Sequence, residues 1–103
     1  MRTMYKECNL IHADLSEYNI LWHREMCWFI DVSQSIEPAH PHAFRFLLRD
    51  CQNIVNFFRN IAGLTDVMSA KELFTHVCEK EIKGDALDVI EGEVGLHVYT
   101  LSI

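Results

Sequence analysis

Glycine is scarce and late in this chain: there are four in 103 residues, and the first is Gly63. No glycine-rich loop able to cradle phosphates on backbone amides can therefore precede that point. Proline is scarcer still. Pro38 and Pro41 bracket one break and leave the stretches on either side free to run as regular structure. No apolar run approaches the roughly 20 residues of a membrane-spanning helix, and Met-Arg-Thr-Met-Tyr-Lys at the start is not a signal peptide. Basic excess is absent too, since the formal charge is −6, so nothing here is an electrostatic footprint for direct nucleic-acid binding. The four cysteines, Cys8, Cys27, Cys51 and Cys78, form no C-x-x-C pair. That argues against a zinc site or disulfide staples and for reduced thiols packed as small hydrophobes. Together these absences predict a soluble, cytoplasmic chain.

What is present suits one domain or a piece of one: 50% hydrophobic and 23% charged residues can build a core. Residues 1–10 read as the end of a helix closing near Cys8-Asn9. Asn19–His23 and Cys27–Asp31 are rich in β-branched and aromatic residues, and Arg24-Glu25-Met26 between them predicts a β-hairpin. Beyond the prolines, Phe44, Leu47, Leu48, Cys51, Ile54, Val55 and Phe58 recur at helical spacing, with Gly63 as the stop. Arg45, Arg49 and Arg59 fall on the opposite side and read as a solvated face. Ser69-Ala70-Lys71-Glu72 is a capping box that should open a second helix, with Leu73, Phe74, Val77 and Cys78 inward and Gly84 as its end. Asp85–Ile90 suggests a further helix, and Val94, Leu96 and Val98 alternate as in a strand.

The chemistry concentrates in residues 11–35. His12-Ala13-Asp14-Leu15-Ser16-Glu17-Tyr18-Asn19 has the form H-x-D-x-x-x-x-N, the spacing of a phosphotransferase catalytic loop, and a strand-like spacer then leads to Asp31. In that pattern Asp14 accepts a proton from an attacking hydroxyl, while Asn19 and Asp31 offer oxygens to magnesium. A hairpin brings Asn19 at its start beside Asp31 at its finish. The apolar neighbours predict carboxylates drawn into a hydrophobic setting, where a metal and a phosphate compensate their charge. Ser16 is read equally as a phosphate contact and as a turn cap. His12 organises the loop by hydrogen bonds. His40 and His42, around Pro41, begin the helix and pack on the loop.

The segments His12–Asn19, Ile30-Asp31-Val32-Ser33-Gln34-Ser35, His40-Pro41-His42 and Asp50-Cys51 together resemble the RIO atypical protein kinases, over about residues 9–80. Glu17-Tyr18 and Trp22-His23 look most like the third type of that family. The resemblance implies an α+β fold, a kinase-like C-lobe that is mainly helical with a β-hairpin carrying the catalytic and metal-binding loops. It also implies ATP and Mg2+, with Asp14 and Asp31 catalytic, Ser16, Asn19 and Asp31 binding the nucleotide's phosphates and metal, and Asp31 able to accept phosphate itself. The family's role in maturing the small ribosomal subunit in the cytoplasm implies a protein substrate or a pre-ribosomal particle as partner. Residues 1–82 are expected to form the partial kinase domain and residues 83–103 a divergent tail. With only Lys6 before His12, the glycine-rich loop and ATP-anchoring lysine of an N-lobe are missing. The expectation is accordingly a C-lobe fragment that is inactive alone. Two alternatives stand beside it: a small-molecule phosphotransferase of the aminoglycoside or choline kinase kind, and a non-catalytic interaction module or truncation product.

Overall fold

A computed structural model describes residues 1–80. In order along the chain come α1 (Arg2–Lys6), the antiparallel pair β1 (Ile20–His23) and β2 (Met26–Phe29), α2 (Ala43–Asn56) and α3 (Ala70–Cys78). The architecture is a small α+β arrangement. The expected third helix, the alternating stretch after Glu93, Gly84 and the boundary at residue 83 lie outside the described residues.

α2 is the spine. Its apolar stripe puts Ala43, Leu47, Leu48, Cys51 and Val55 out of solvent. Leu47, Leu48 and Cys51 form one cluster with Ile11 and with Phe74, Val77 and Cys78 of α3, and Tyr5 of α1 packs on its edge. The helix does not stop at its last α-helical residue. Phe57–Ile61 widen into a π-helical turn, and Gly63, at φ 72°, supplies the left-handed residue that turns the chain away. α3 opens as its capping box predicts: Ser69 Oγ accepts from the Glu72 amide at 3.1 Å, and Glu72 Oε1 accepts from the Ser69 amide at 3.2 Å. It closes at Cys78, well before Gly84, because Glu79 takes up a left-handed conformation. Glu79 also ties α1 to α3, pairing with Lys6 and, at 2.7 Å, with Arg2. These two cations hold its carboxyl down to about 2.

The thiols divide. Cys51 and Cys78 are buried as small hydrophobes, whereas Cys8 and Cys27 are exposed, against the expectation for all four. None is in a disulfide. Among the described residues, no helix is long and apolar enough to cross a membrane.

The hairpin stands out from this core. Ile20 pairs with Phe29 and His23 with Met26, so the turn is the two residues Arg24-Glu25 and Met26 belongs to the strand. Leu21, Trp22, Met26 and Trp28 are exposed. A brace crosses the ladder's outer end, where the Trp28 indole N–H donates to the His23 carbonyl at 2.9 Å. At the base, Ile11 and Ile36 exchange both backbone bonds, 2.8 and 2.9 Å, which closes a ring around everything from His12 to Ser35.

Arg24 and Glu25 both have positive φ, 53° and 59°, the conformation of a two-residue type I′ turn. Neither residue suits it, because a Cβ in the left-handed region costs about 1 kcal/mol or more. The double change Arg24→Asn, Glu25→Gly is therefore expected to stabilise the hairpin by about 1 kcal/mol. Hydrogen exchange at the Ile20–Phe29 amides would read this as roughly fivefold slower opening; unchanged exchange would show that the turn carries no strain.

Candidate functional site

His12–Asn19 is pinned from two directions. From α2, the Asp50 carboxylate accepts the Ala13 amide at 2.8 Å and the Leu15 amide at 3.0 Å, one on each side of Asp14. Asn53, one turn on, donates to the Leu15 carbonyl at 3.2 Å. From the hairpin, His12 Nε2 meets the Ile30 carbonyl at 2.9 Å, while His12 Nδ1 accepts the Asp14 amide at 3.2 Å. With Nδ1 accepting, Nε2 is the nitrogen that donates to Ile30, so the ring crosslinks loop and strand. The organising role expected of His12 is observed.

Ser16 begins a 3-10 turn over Glu17–Asn19, its hydroxyl accepting from the Tyr18 amide at 3.2 Å. Asn19 closes the box. Its Oδ1 accepts the Ser16 amide at 2.8 Å and its Nδ2 donates to the Asp14 carbonyl at 2.6 Å, with the side chain buried. The Asn19 carbonyl in turn accepts the Ile30 amide at 2.9 Å, continuing the hairpin ladder one step beyond the strands. Asn19 and Asp31 are therefore at the same open end of the hairpin, as the hairpin pattern predicts. Asp31 itself is left-handed, φ 57°, and precedes a 3-10 turn over Val32–Gln34; its Oδ1 accepts the Ser33 hydroxyl at 3.2 Å.

One expectation is corrected. Asp14 and Asp31 are not drawn into an apolar interior; both are exposed, and water supplies the solvation that the sequence reading assigned to a metal and phosphate. His40 and His42 lie at the start of α2, where the His42 amide donates to His40 Nδ1, His42 Nδ1 meets Arg45 and the His40 ring meets Phe46 edge-on. The buried carboxylate is Asp50, 1% exposed, which sequence reasoning quoted only as part of a resemblance. A signal for it existed: it sits three residues after Leu47 and four before Ile54, inside the apolar stripe, where a charge needs a partner.

Burial pushes the Asp50 carboxyl up to about 6, against the opposing pull of the Leu15 and Ala13 amides and then of His12 and Arg49. Because the folded value lies above the ordinary 3.8, protonation favours the fold. Asp50's contribution is fully present below about pH 4 and is lost as pH rises toward 6, a swing on the order of 3 kcal/mol. Asp50→Asn keeps the shape but offers one acceptor oxygen to two amides. Urea melts at pH 4.5 and 7.5 should show the wild-type chain losing stability with rising pH relative to Asp50→Asn, and the variant should show faster amide exchange at Ala13 or Leu15. Parallel pH profiles for the two proteins would remove Asp50 from this role.

Comparison with known proteins meets the same segments. The RIO domain family model matches residues 1–73. Serine/threonine-protein kinase RIO3 of Homo sapiens is 53% identical over 85 residues, 82% of this chain, and that of Mus musculus 52% over the same length. Serine/threonine-protein kinase RIO1 of Homo sapiens is 46% identical over 88 residues, 85% of the chain. The aligned part is 16% of each RIO3 and 15% of that RIO1, so this chain spans a small share of the relatives it matches. The loop, hairpin and helix that build the site lie within the matched region, and the chain belongs to the RIO domain family, among relatives named serine/threonine-protein kinases.

Proposed function

We propose that this chain is the catalytic C-lobe of a RIO-type serine/threonine kinase, moving the γ-phosphate of ATP, with magnesium, onto a protein hydroxyl. The observation that carries the reading is one connected network: the Asn19 carboxamide holds the Asp14 carbonyl, and the Asn19 carbonyl holds the strand that delivers Asp31.

The donor set fits the metal. A carboxylate and a carboxamide are hard oxygen ligands, the kind magnesium takes a few at a time, keeping its other positions for phosphate and water. Asn19 Oδ1 spends one lone pair on the Ser16 amide and keeps a second; Asp31 keeps one carboxylate oxygen clear of Ser33. Among the described residues, no three His, Cys, Asp or Glu side chains cluster as a closed metal cage. Magnesium held by Asn19 and Asp31 would neutralise phosphate charge.

The chain's own residues do the rest. Asp14, exposed at the crest of the pinned loop, accepts the acceptor hydroxyl's proton. As the acceptor oxygen bonds to the γ-phosphorus, the bond from that phosphorus to the bridging oxygen breaks and ADP leaves with the electron pair. Ser16 holds the turn that orients Asn19. In a separate reaction, with no acceptor hydroxyl present, the free Asp31 oxygen attacks the γ-phosphorus in place of holding the metal; the bond to the bridging oxygen breaks, ADP leaves with the electron pair, and an acyl phosphate forms. The family's cytoplasmic part in small-subunit maturation supplies the context for the acceptor. The transfer needs a glycine-rich loop and an ATP-anchoring lysine from an N-lobe, and without them the lobe is inactive.

Manganese, a paramagnetic stand-in for magnesium, tests the metal assignment without any turnover. It is expected to broaden the amide signals of Asn19, Ile30 and Asp31 selectively, and Asp31→Asn should abolish that broadening. Uniform broadening across the acidic surface would refute the site. Where phosphotransfer is measured, Asp14→Asn is expected to lower kcat by about 10²–10⁴, the usual worth of a general base; an unchanged kcat would exclude Asp14 as the base.

A further inference from the structure

A cleft of about 260 Å³ opens beside the pinned loop, between the Ser16–Tyr18 turn and the polar ridge of α2. Arg49, Asn53 and Asn56 form that ridge at helical spacing, and Phe57 and Ile61 of the π-helical turn close its far end. Of the arginines that the helical pattern assigns to a solvated face, Arg59 is exposed and Arg45 and Arg49 are half-buried. Arg59 is spent on the Val67 carbonyl and Arg45 on His42, both outside the cleft. Arg49 is different. It is half-buried in the wall; its charge is felt at the Asp50 carboxyl, but among the described residues no hydrogen bond or ion pair holds its guanidinium.

We propose that this cleft seats the acceptor protein segment, and that Arg49 selects an acidic side chain on that segment near the hydroxyl to be phosphorylated. The inference rests on the kinase reading above and names the substrate class for it. Three physical features support it. First, the cleft is joined to the catalytic loop: Ser16 in its wall is two residues from Asp14, and Asn53 holds the Leu15 carbonyl. Second, the polar groups suit an extended peptide. A guanidinium presents a planar fork to a carboxylate. The Asn56 carboxamide, unused among the described residues, and the second face of Asn53 can pair with backbone N–H and C=O groups. Third, apolar contact is at hand: Tyr18 is 88% exposed and Ile61 70%, both facing this region rather than the core.

Glu17 shares the wall, so the cleft as a whole is close to neutral. With a net charge of −6 on the chain, long-range attraction for an acidic segment is absent. Selection therefore comes from the short-range fork at Arg49, and Glu17 sets a penalty that confines the acidic residue to the Arg49 side.

The test uses the chain itself and needs no catalysis. Fluorescein-labelled nonapeptides with one central serine, flanked either by glutamates or by glutamines, are titrated with the protein and followed by anisotropy. The glutamate peptide is expected to bind at least tenfold more tightly than its glutamine counterpart. Arg49→Gln should erase that preference, Arg45→Gln should keep it, and Glu17→Gln should strengthen it; folding of each variant is checked from its amide spectrum. No difference between the peptides, no binding of either, or a preference that survives Arg49→Gln would overturn the proposal. Manganese broadening at Asn19 and Asp31, read on the same samples, reports the metal site separately, so failure of the docking surface and failure of the kinase reading are told apart.

Discussion

Everything chemical in this molecule depends on one carboxylate that does no chemistry. Asp50 lies in the apolar stripe of α2, where an unpaired charge would be untenable, and its two oxygens are matched by the Ala13 and Leu15 amides. Those amides belong to a loop with no regular structure of its own to satisfy them. The need is mutual. The helix requires donors for its buried acid, and the loop requires acceptors for its buried amides. Ala13 is also held at φ 69°, a conformation that an alanine avoids unless its surroundings impose it. The strain is local, and its consequence is that the side chain between the two bonded amides, Asp14, is turned outward.

A division of labour follows. The groups that stay exposed, Asp14 and Asp31, make few bonds and are available for reaction. The groups that are buried or half-buried, Asp50, Asn19, His12 and Asn53, bond backbone atoms and hold the exposed ones in place. Loop, strand and helix are thereby tied together by side chain to main chain bonds, which depend on position along the backbone and tolerate substitution of neighbouring side chains. All of these residues lie within the region, 1–73, that the RIO domain family model matches.

Much of this was legible in the residues. The helical period of Phe44–Phe58, the Ser69/Glu72 capping box and the strand-like runs around Arg24 each carry a local rule, and α2, α3 and the hairpin appear where those rules put them. What escaped was what depends on distant partners. Exposure of Asp14 and Asp31 cannot be read from apolar neighbours, because adjacent strand residues face opposite ways and a loop can lift one side chain clear. Asp50 broke the apolar stripe visibly, yet its partners lie more than thirty residues back. The left-handed Arg24-Glu25 turn and the π-helical end of α2 violate propensity, and such departures are settled by tertiary packing. In the cleft, Arg49 looked like its sister arginines until the neighbouring turn supplied the opposite wall.

The reciprocal pair of backbone bonds between Ile11 and Ile36 behaves like a drawstring. Because it cinches the base independently of the arm it encloses, the arm's reach is a free variable. Residues could be added to the tip in matched pairs, one to each strand, without reversing which face any side chain occupies and without displacing the base. Variation in hairpin length among proteins of this kind is therefore expected to accumulate at Arg24-Glu25 and to spare the neck, giving evolution a dial for surface shape that leaves the reacting groups untouched.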